Sequence, residues 1–175
     1  MRALLVIDVQ KGIVNLQDFT KELHVIEEVI KDFKEKEDPV LFIQHFDQHE
    51  ESPLHPESEG SQLYPGLKDY ADYIVQKETP SAFYKTNLES ILKELQVDQL
   101  FITGFNTEYC CLFTAIAGYD RGYNVTFLEE ATGTVNTGET YEMNDLDIRD
   151  FIGTILHWSE TMEVLDYEEY VEQYK

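Results

Sequence analysis

Short apolar runs alternate along the chain with longer stretches in which apolar side chains recur every three or four residues. The apolar runs predict strands, and several are apolar without interruption, which is typical of strands covered on both faces. The predicted strands are 3–8, 40–46, 73–77, 99–105, 124–129 and 162–166. The amphipathic stretches predict helices at 20–36, 86–95, 108–120, 139–156 and 167–173. This alternation predicts an α/β fold, a three-layer α/β/α sandwich around a parallel sheet.

The length of 175 residues is that of one domain. No internal repeat and no linker divides the chain, so residues 1–175 are expected to form a single domain. The segment 47–71 interrupts the alternation with three prolines, two glycines and many polar residues. A loop of this length inside a compact domain usually has a functional role.

The charge balance is strongly acidic. Lys and Arg number 13, Asp and Glu number 35, and the formal net charge at pH 7 is −22. This excess argues against nucleic acid or an anionic membrane surface as a partner, because both require clustered positive charge. The apolar runs are much shorter than a membrane span, and no signal-peptide pattern follows the first residues. The two cysteines are adjacent and therefore a poor disulfide pair, so we expect a cytoplasmic protein with reduced thiols.

Three reactive residues fall at or just beyond the carboxyl ends of predicted strands, where open parallel sheets bind their ligands. Asp8 ends the first strand, Lys77 ends the third, and Cys110 follows the fourth after a short turn. Thr107 is a candidate helix N-cap, which would place Cys110 in a first helical turn whose N–H groups and dipole lower the pKa of the thiol. The neighbouring Cys111 is expected to be an inert core residue. Each of the three also has an ordinary interpretation, as a turn-forming aspartate, a surface lysine and a buried cysteine.

Four short motifs occur in a specific order around these residues. They are D-x-Q at 8–10, K-x-x-x-S-A-F at 77–83, G-x-x-T-x-x-C at 104–110 and G-Y-x-V at 122–125. No single motif is specific, but the ordered set, covering most of residues 3–132, resembles the isochorismatase-like cysteine hydrolases. That superfamily includes the nicotinamidases and related amidohydrolases.

The resemblance implies a Rossmann-like six-stranded parallel sheet of order 3-2-1-4-5-6 and a catalytic triad of Asp8, Lys77 and Cys110. In the implied mechanism Asp8 takes the thiol proton, Cys110 attacks the carbonyl carbon of a small amide, and water hydrolyses the resulting acyl-enzyme. The resemblance further implies a cis peptide between Phe105 and Asn106, and an oxyanion hole formed by the backbone N–H groups of Asn106 and Cys110.

The expected substrate-binding residues are an amide and three aromatic side chains: Gln10, Phe83, Phe105 and Tyr109. These side chains indicate a small, flat or apolar substrate, and no cofactor is expected. The resemblance to the family further implies a homo-oligomer of two or more copies.

A divalent metal is a further candidate ligand, because nicotinamidases bind one through an Asp-x-His motif and later histidines. The segment 47–55 offers donors of the right type, Asp47, His49 and His55. However, Gln48 replaces the aromatic residue usually found between Asp and His, so metal binding is the weaker expectation.

Three alternatives remain open from the sequence. An isochorismatase-type enzyme would cleave a vinyl ether, a reaction that needs no cysteine nucleophile. A non-catalytic scaffold of the same fold would bind a partner through its acidic face. A dinucleotide-binding module is disfavoured, because the first turn at 8–12 lacks the G-x-G-x-x-G of a pyrophosphate site.

Overall fold

A computed structural model describes all 175 residues, Met1–Lys175. Six strands form one sheet in which every neighbouring pair is parallel, in the order β3-β2-β1-β4-β5-β6. The strands are β1 Arg2–Ile7, β2 Val40–His45, β3 Tyr73–Lys77, β4 Gln99–Phe105, β5 Asn124–Gly133 and β6 Glu163–Leu165. The predicted α/β fold, its parallel sheet and its strand order are confirmed.

Helices cover both faces of the sheet, which explains why the central strands are apolar without interruption. Along β1, Leu4 and Val6 pack into one core and Ala3, Leu5 and Ile7 into the other. The first core is closed by α1 Lys11–Val14, α2 Thr20–Glu35 and α6 Tyr167–Tyr174, and the second by α3 Leu88–Glu94, α4 Leu112–Tyr119 and α5 Ile148–Trp158. No helix is both long enough and apolar enough to cross a bilayer.

The largest difference from the predicted elements is in the segment 139–156. Instead of one long helix, the chain makes a 3₁₀ turn at Gly138–Tyr141, a loop, and only then α5. Glu142 and Asp145 both have positive φ angles, which a helix does not tolerate. Asp147 then starts the helix, its side chain accepting a hydrogen bond from the N–H of Asp150.

Two further differences lie near the carboxyl ends of the strands. The short helix α1 was not predicted, and β5 continues to Gly133, well beyond its expected end. Both extensions add ordered backbone at the edge of the sheet where the reactive residues lie.

Candidate active site

The parallel strands bring Asp8, His45 and Lys77 to one edge of the sheet. Asp8 directly follows β1 with a φ of 52°, and His45 and Lys77 are the last residues of β2 and β3. In the ladder His45 lies opposite Lys77. Since β2 separates β1 from β3, Lys77 reaches Asp8 only by extending its side chain across the end of β2.

The ammonium of Lys77 is the centre of the site. Its Nζ lies 2.8 Å from Oδ2 of Asp8, 2.9 Å from Nδ1 of His45 and 3.2 Å from Sγ of Cys110. The side chain of Lys77 has no exposed surface, so all of its donors are directed at these neighbours. Asp8, Lys77 and Cys110 therefore sit close together, an arrangement consistent with a triad.

The surroundings of Lys77 keep it charged. Burial alone would lower its pKa, but the Asp8 carboxylate and the Cys110 sulfur raise the pKa above its ordinary value. Burial lowers the pKa of His45, and the ammonium of Lys77 lowers it further. The imidazole is thus neutral at neutral pH, and Nδ1 accepts a hydrogen bond from the ammonium.

Cys110 lies in a π-helical turn, Thr107–Cys111, that leads into α4. The prediction that Thr107 caps this helix is wrong: Asn106 precedes the turn, and the hydroxyl of Thr107 instead donates to Thr132. The expected fall in the thiol pKa is also wrong. Burial, together with the Asp8 carboxylate, raises the pKa of Cys110 well above its ordinary value, although the Lys77 ammonium opposes the shift. Cys111 is fully buried, as expected of a core residue.

A thiol that stays protonated needs a base, and the carboxylate of Asp8 provides one. Its Oδ2 is held by Lys77, whereas its Oδ1 is buried and has no hydrogen-bond partner. One oxygen of Asp8 and the sulfur of Cys110 lie within 4.8 Å of each other. Because an unpaired buried carboxylate oxygen is costly, Oδ1 is a strong acceptor for a proton that arrives there.

The backbone just before Cys110 also provides a hydrogen-bond donor. The peptide bond between Phe105 and Asn106 is cis. The side chain of Asn106 accepts a hydrogen bond from the N–H of Val135, whereas its own N–H donates to no group of the chain. A free N–H beside Cys110 is what the predicted oxyanion hole requires, and that role stays a prediction.

Of the four expected substrate-binding residues, three are buried in the protein and only one is exposed. Gln10 is buried, and its amide is fully used in bonds to the backbone of His45 and Ser61, so it holds the loop and does not face a ligand. Phe105 is buried against Phe19 in the core beneath α2.

Phe83 is likewise buried, and it packs against Tyr123 and the guanidinium of Arg121. These placements do not support the predicted contacts of Gln10, Phe83 and Phe105 with substrate. Tyr109 is the exception: its ring is 41% exposed, and it lines an apolar cavity of about 260 Å³.

The candidate metal ligands do not form a site. The carboxylate of Asp47 accepts from the backbone N–H of His49, and the ring of His55 accepts from the backbone N–H of Glu57. The donors that do converge are those of Asp8, His45 and Cys110. The cation between them is the Lys77 ammonium, so the residues present do not fit a nicotinamidase-type metal.

Sequence reasoning missed two residues near the site. His45 could have been found by the rule that identified Asp8 and Lys77, because it ends the strand between theirs. Glu108 had no such signal. Its Oε1 accepts hydrogen bonds from three donors, Thr134, Asn136 and Tyr141, and its Oε2 is buried without a partner.

Comparison with known proteins identifies the family. The isochorismatase domain family matches residues 2–159. The isochorismatase family protein YrdC of Bacillus subtilis is 28% identical over 148 residues, which cover 80% of this chain and 79% of YrdC. The nicotinamidase of Escherichia coli is 34% identical over 92 residues, or 45% of this chain and 43% of that enzyme.

A solved structure supports the same fold. The cysteine hydrolase from Pseudomonas syringae superposes with a TM-score of 0.84 at 20% identity, covering 98% of this chain and 91% of that one. At this identity the likeness shows the fold alone, whereas the domain match extends over nearly the whole chain. The chain therefore belongs to the isochorismatase family of hydrolases.

Proposed function

We infer that the protein is a cysteine-dependent hydrolase that cleaves the C–N bond of a small amide. The observation that carries this proposal is the placement of one buried ammonium, Lys77, within hydrogen-bond distance of both a carboxylate and a thiol. A family that includes nicotinamidases makes an amide the substrate class to test first. The free, adjacent cysteines fit a reducing compartment such as the cytoplasm.

The chemistry starts from a protonated thiol. As Cys110 approaches the carbonyl carbon, its proton passes to Oδ1 of Asp8 and a C–S bond forms. The Lys77 ammonium stabilises the negative charge that moves between sulfur and carboxylate, and the N–H of Asn106 donates to the developing oxyanion.

Collapse of this intermediate breaks the C–N bond. The amine leaves with the proton returned by Asp8, and a thioester to Cys110 remains. Water then attacks the thioester with Asp8 again accepting a proton, which releases the acid and restores the thiol.

The test is release of ammonia or amine from a panel of small amides that includes nicotinamide, with and without added divalent metal. We expect Cys110→Ala to lower turnover by more than about a thousandfold, as loss of a nucleophile does in other triads. Cys111→Ala is the matched control, since it removes a neighbouring sulfur that does not contact Lys77, and it should retain turnover.

Two outcomes would contradict the proposal. One is full amide turnover by Cys110→Ala, which would exclude a cysteine nucleophile. The other is a wild-type protein that is inactive on every amide but cleaves a vinyl ether with or without Cys110. Trapping of an acyl-thioester on Cys110, detected by mass spectrometry of the intact protein, would support the proposed intermediate directly.

A further inference from the structure

Glu108 lies on the π-helical turn that carries Cys110, yet it takes no part in the proposed reaction. It follows Asn106 by two residues and precedes Cys110 by two, so it lies between the two groups that the reaction requires. Its side chain is mostly buried, and its Oε2 has no hydrogen-bond partner. Burying a carboxylate is costly, so the hydrogen bonds of the other oxygen, Oε1, must provide a compensating gain.

The donors to Oε1 all come from one stretch of chain, residues 134–141, which we call the 134–141 segment. Oε1 lies 2.8 Å from the hydroxyl of Thr134, 2.7 Å from the amide nitrogen of Asn136 and 2.9 Å from the hydroxyl of Tyr141. Hydrogen bonds to an ionised acceptor are stronger than those between neutral groups. Glu108 therefore holds the 134–141 segment against the turn at three points.

The 134–141 segment has little regular structure of its own. It leaves the sheet after Gly133, the last residue of β5, and forms only the 3₁₀ turn Gly138–Tyr141. Just beyond it, Glu142 has a positive φ of 57°, and a loop follows as far as α5. A segment outside the strand ladder depends on its side-chain hydrogen bonds, and it opens easily when they are lost.

Two further contacts connect the segment to the neighbours of Glu108 on the turn. The N–H of Val135 donates to Oδ1 of Asn106 at 3.1 Å. The hydroxyls of Tyr141 and Tyr109 lie 3.1 Å apart, and because the proton of Tyr141 goes to the carboxylate, Tyr109 donates to Tyr141. Tyr109 directly precedes Cys110. The segment therefore contacts the turn on both sides of its central carboxylate.

We propose that Glu108 is a positioning residue. By holding the 134–141 segment against the turn, it keeps the N–H of Asn106 and the sulfur of Cys110 in the relative position that attack on a carbonyl requires. This inference rests on the proposed function, since it assumes that both groups act on the substrate. Misplacement of a reacting group by about 1 Å can lower a rate about a hundredfold, so a residue that never touches substrate can still determine turnover.

The test measures kcat and KM of three variants on the amide that the wild type hydrolyses fastest. Glu108→Leu removes the acceptor of all three donors, and we expect kcat to fall about ten- to a hundredfold while KM changes little. Glu108→Gln keeps an oxygen where the donors converge, so it should recover most of the lost kcat. Glu139→Leu is the matched control, because it removes an exposed carboxylate from the same segment, and it should retain the kcat of the wild type.

Alkylation of Cys110 by iodoacetamide at neutral pH gives a readout that needs no substrate. Loss of the contacts of Glu108 should loosen the turn and make the sulfur more accessible. We therefore expect Cys110, located by peptide mapping, to be alkylated several-fold faster in Glu108→Leu than in the wild type or in Glu108→Gln. Urea denaturation checks that each variant is folded. If Glu108→Leu does not fold, Tyr141→Phe replaces it, and a smaller loss of kcat in the same direction is expected.

Three outcomes would overturn the proposal. They are the kcat of the wild type in Glu108→Leu, a loss that Glu108→Gln does not recover, and an unchanged rate of Cys110 alkylation in folded Glu108→Leu. Failure of the proposed function would look different, because the wild type would hydrolyse no amide, or turnover would survive Cys110→Ala. The alkylation rates would then still decide whether Glu108 holds the turn.

Discussion

His45 shows how one side chain can determine where another points. Lys77 crosses the end of β2 to reach Asp8, and Nδ1 of His45 accepts one of its hydrogens on the way. We expect His45→Leu, which removes the acceptor, to lower kcat/KM on the order of tenfold, the equivalent of one hydrogen bond to a charged group. His45→Asn should retain most activity, because its amide oxygen can take the place of Nδ1. Equal losses in both variants would show that packing, and not the hydrogen bond, is what His45 contributes.

The hydrogen bond between Lys77 and His45 also predicts that activity depends on pH in a way that a packing role of His45 would not produce. The pKa of His45 lies below its ordinary value, so the imidazole is neutral at neutral pH and gains its proton only as the pH falls through that lowered value. Protonation would set a second cation 2.9 Å from the Lys77 ammonium. Activity of the wild type should therefore decline on the acidic side below about pH 6.5, and this decline should be absent or displaced in His45→Asn.

The sequence was a good guide to the reactive residues and a poor one to the pocket walls. Asp8 and Lys77 follow from a physical rule, since the carboxyl ends of parallel strands meet at one edge of the sheet. The pKa of Cys110 could not be predicted, because it depends on burial and on the distance to Asp8. Phe83 and Phe105 were misplaced for a similar reason: an aromatic residue near a motif can face the core as easily as a ligand.

At the scale of elements, the last helix is attached to the body of the protein through a buried carboxylate. Asp32 of α2 accepts hydrogen bonds from the hydroxyl of Tyr170 on α6, from Arg2 on β1 and from Lys36. We expect Tyr170→Phe to lower the free energy of unfolding by about 1.5–3 kcal/mol, the range for a hydrogen bond to a charged group. Tyr167→Phe is the matched control, because its ring stacks on Tyr170 but its hydroxyl has no partner in the structure.

Urea denaturation of the three proteins measures the difference. Equal stability of Tyr170→Phe and Tyr167→Phe would show that α6 is held by ring packing alone.

The stability that Asp32 provides should also depend on pH. Burial alone would raise the pKa of Asp32, but its hydrogen bonds and the nearby cations lower the pKa below its ordinary value. The stability it provides is therefore complete above the ordinary carboxyl range and is lost as the pH falls through the lowered value.

Strands and helices were predictable from the sequence where the apolar residues followed one clear periodicity. They were not predictable where local backbone geometry determines where an element ends. The six strands were all found, since runs buried on both faces leave a strong apolar signal. The segment 139–156 was predicted as one helix because apolar residues recur through it. The helix is interrupted at Glu142 and Asp145, which have positive φ angles. No sequence pattern predicts a positive φ at a glutamate or an aspartate such as these. Only Asp147, a typical N-cap residue, signalled where α5 begins.

At the scale of the whole molecule, the formal charge of −22 makes the folded chain repel itself. Only 13 Lys and Arg side chains balance 35 Asp and Glu, so most carboxylates have no cationic partner. Salt shortens the range of this repulsion, from about 30 Å at 0.01 M to about 10 Å at 0.1 M, and leaves the apolar cores in place. Urea denaturation at neutral pH should therefore give a larger free energy of unfolding at about 0.1 M salt than at about 0.01 M. A free energy of unfolding that falls as salt rises would instead indicate that ion pairs, such as those of Arg2 with Asp32 and Asp38, outweigh the net repulsion.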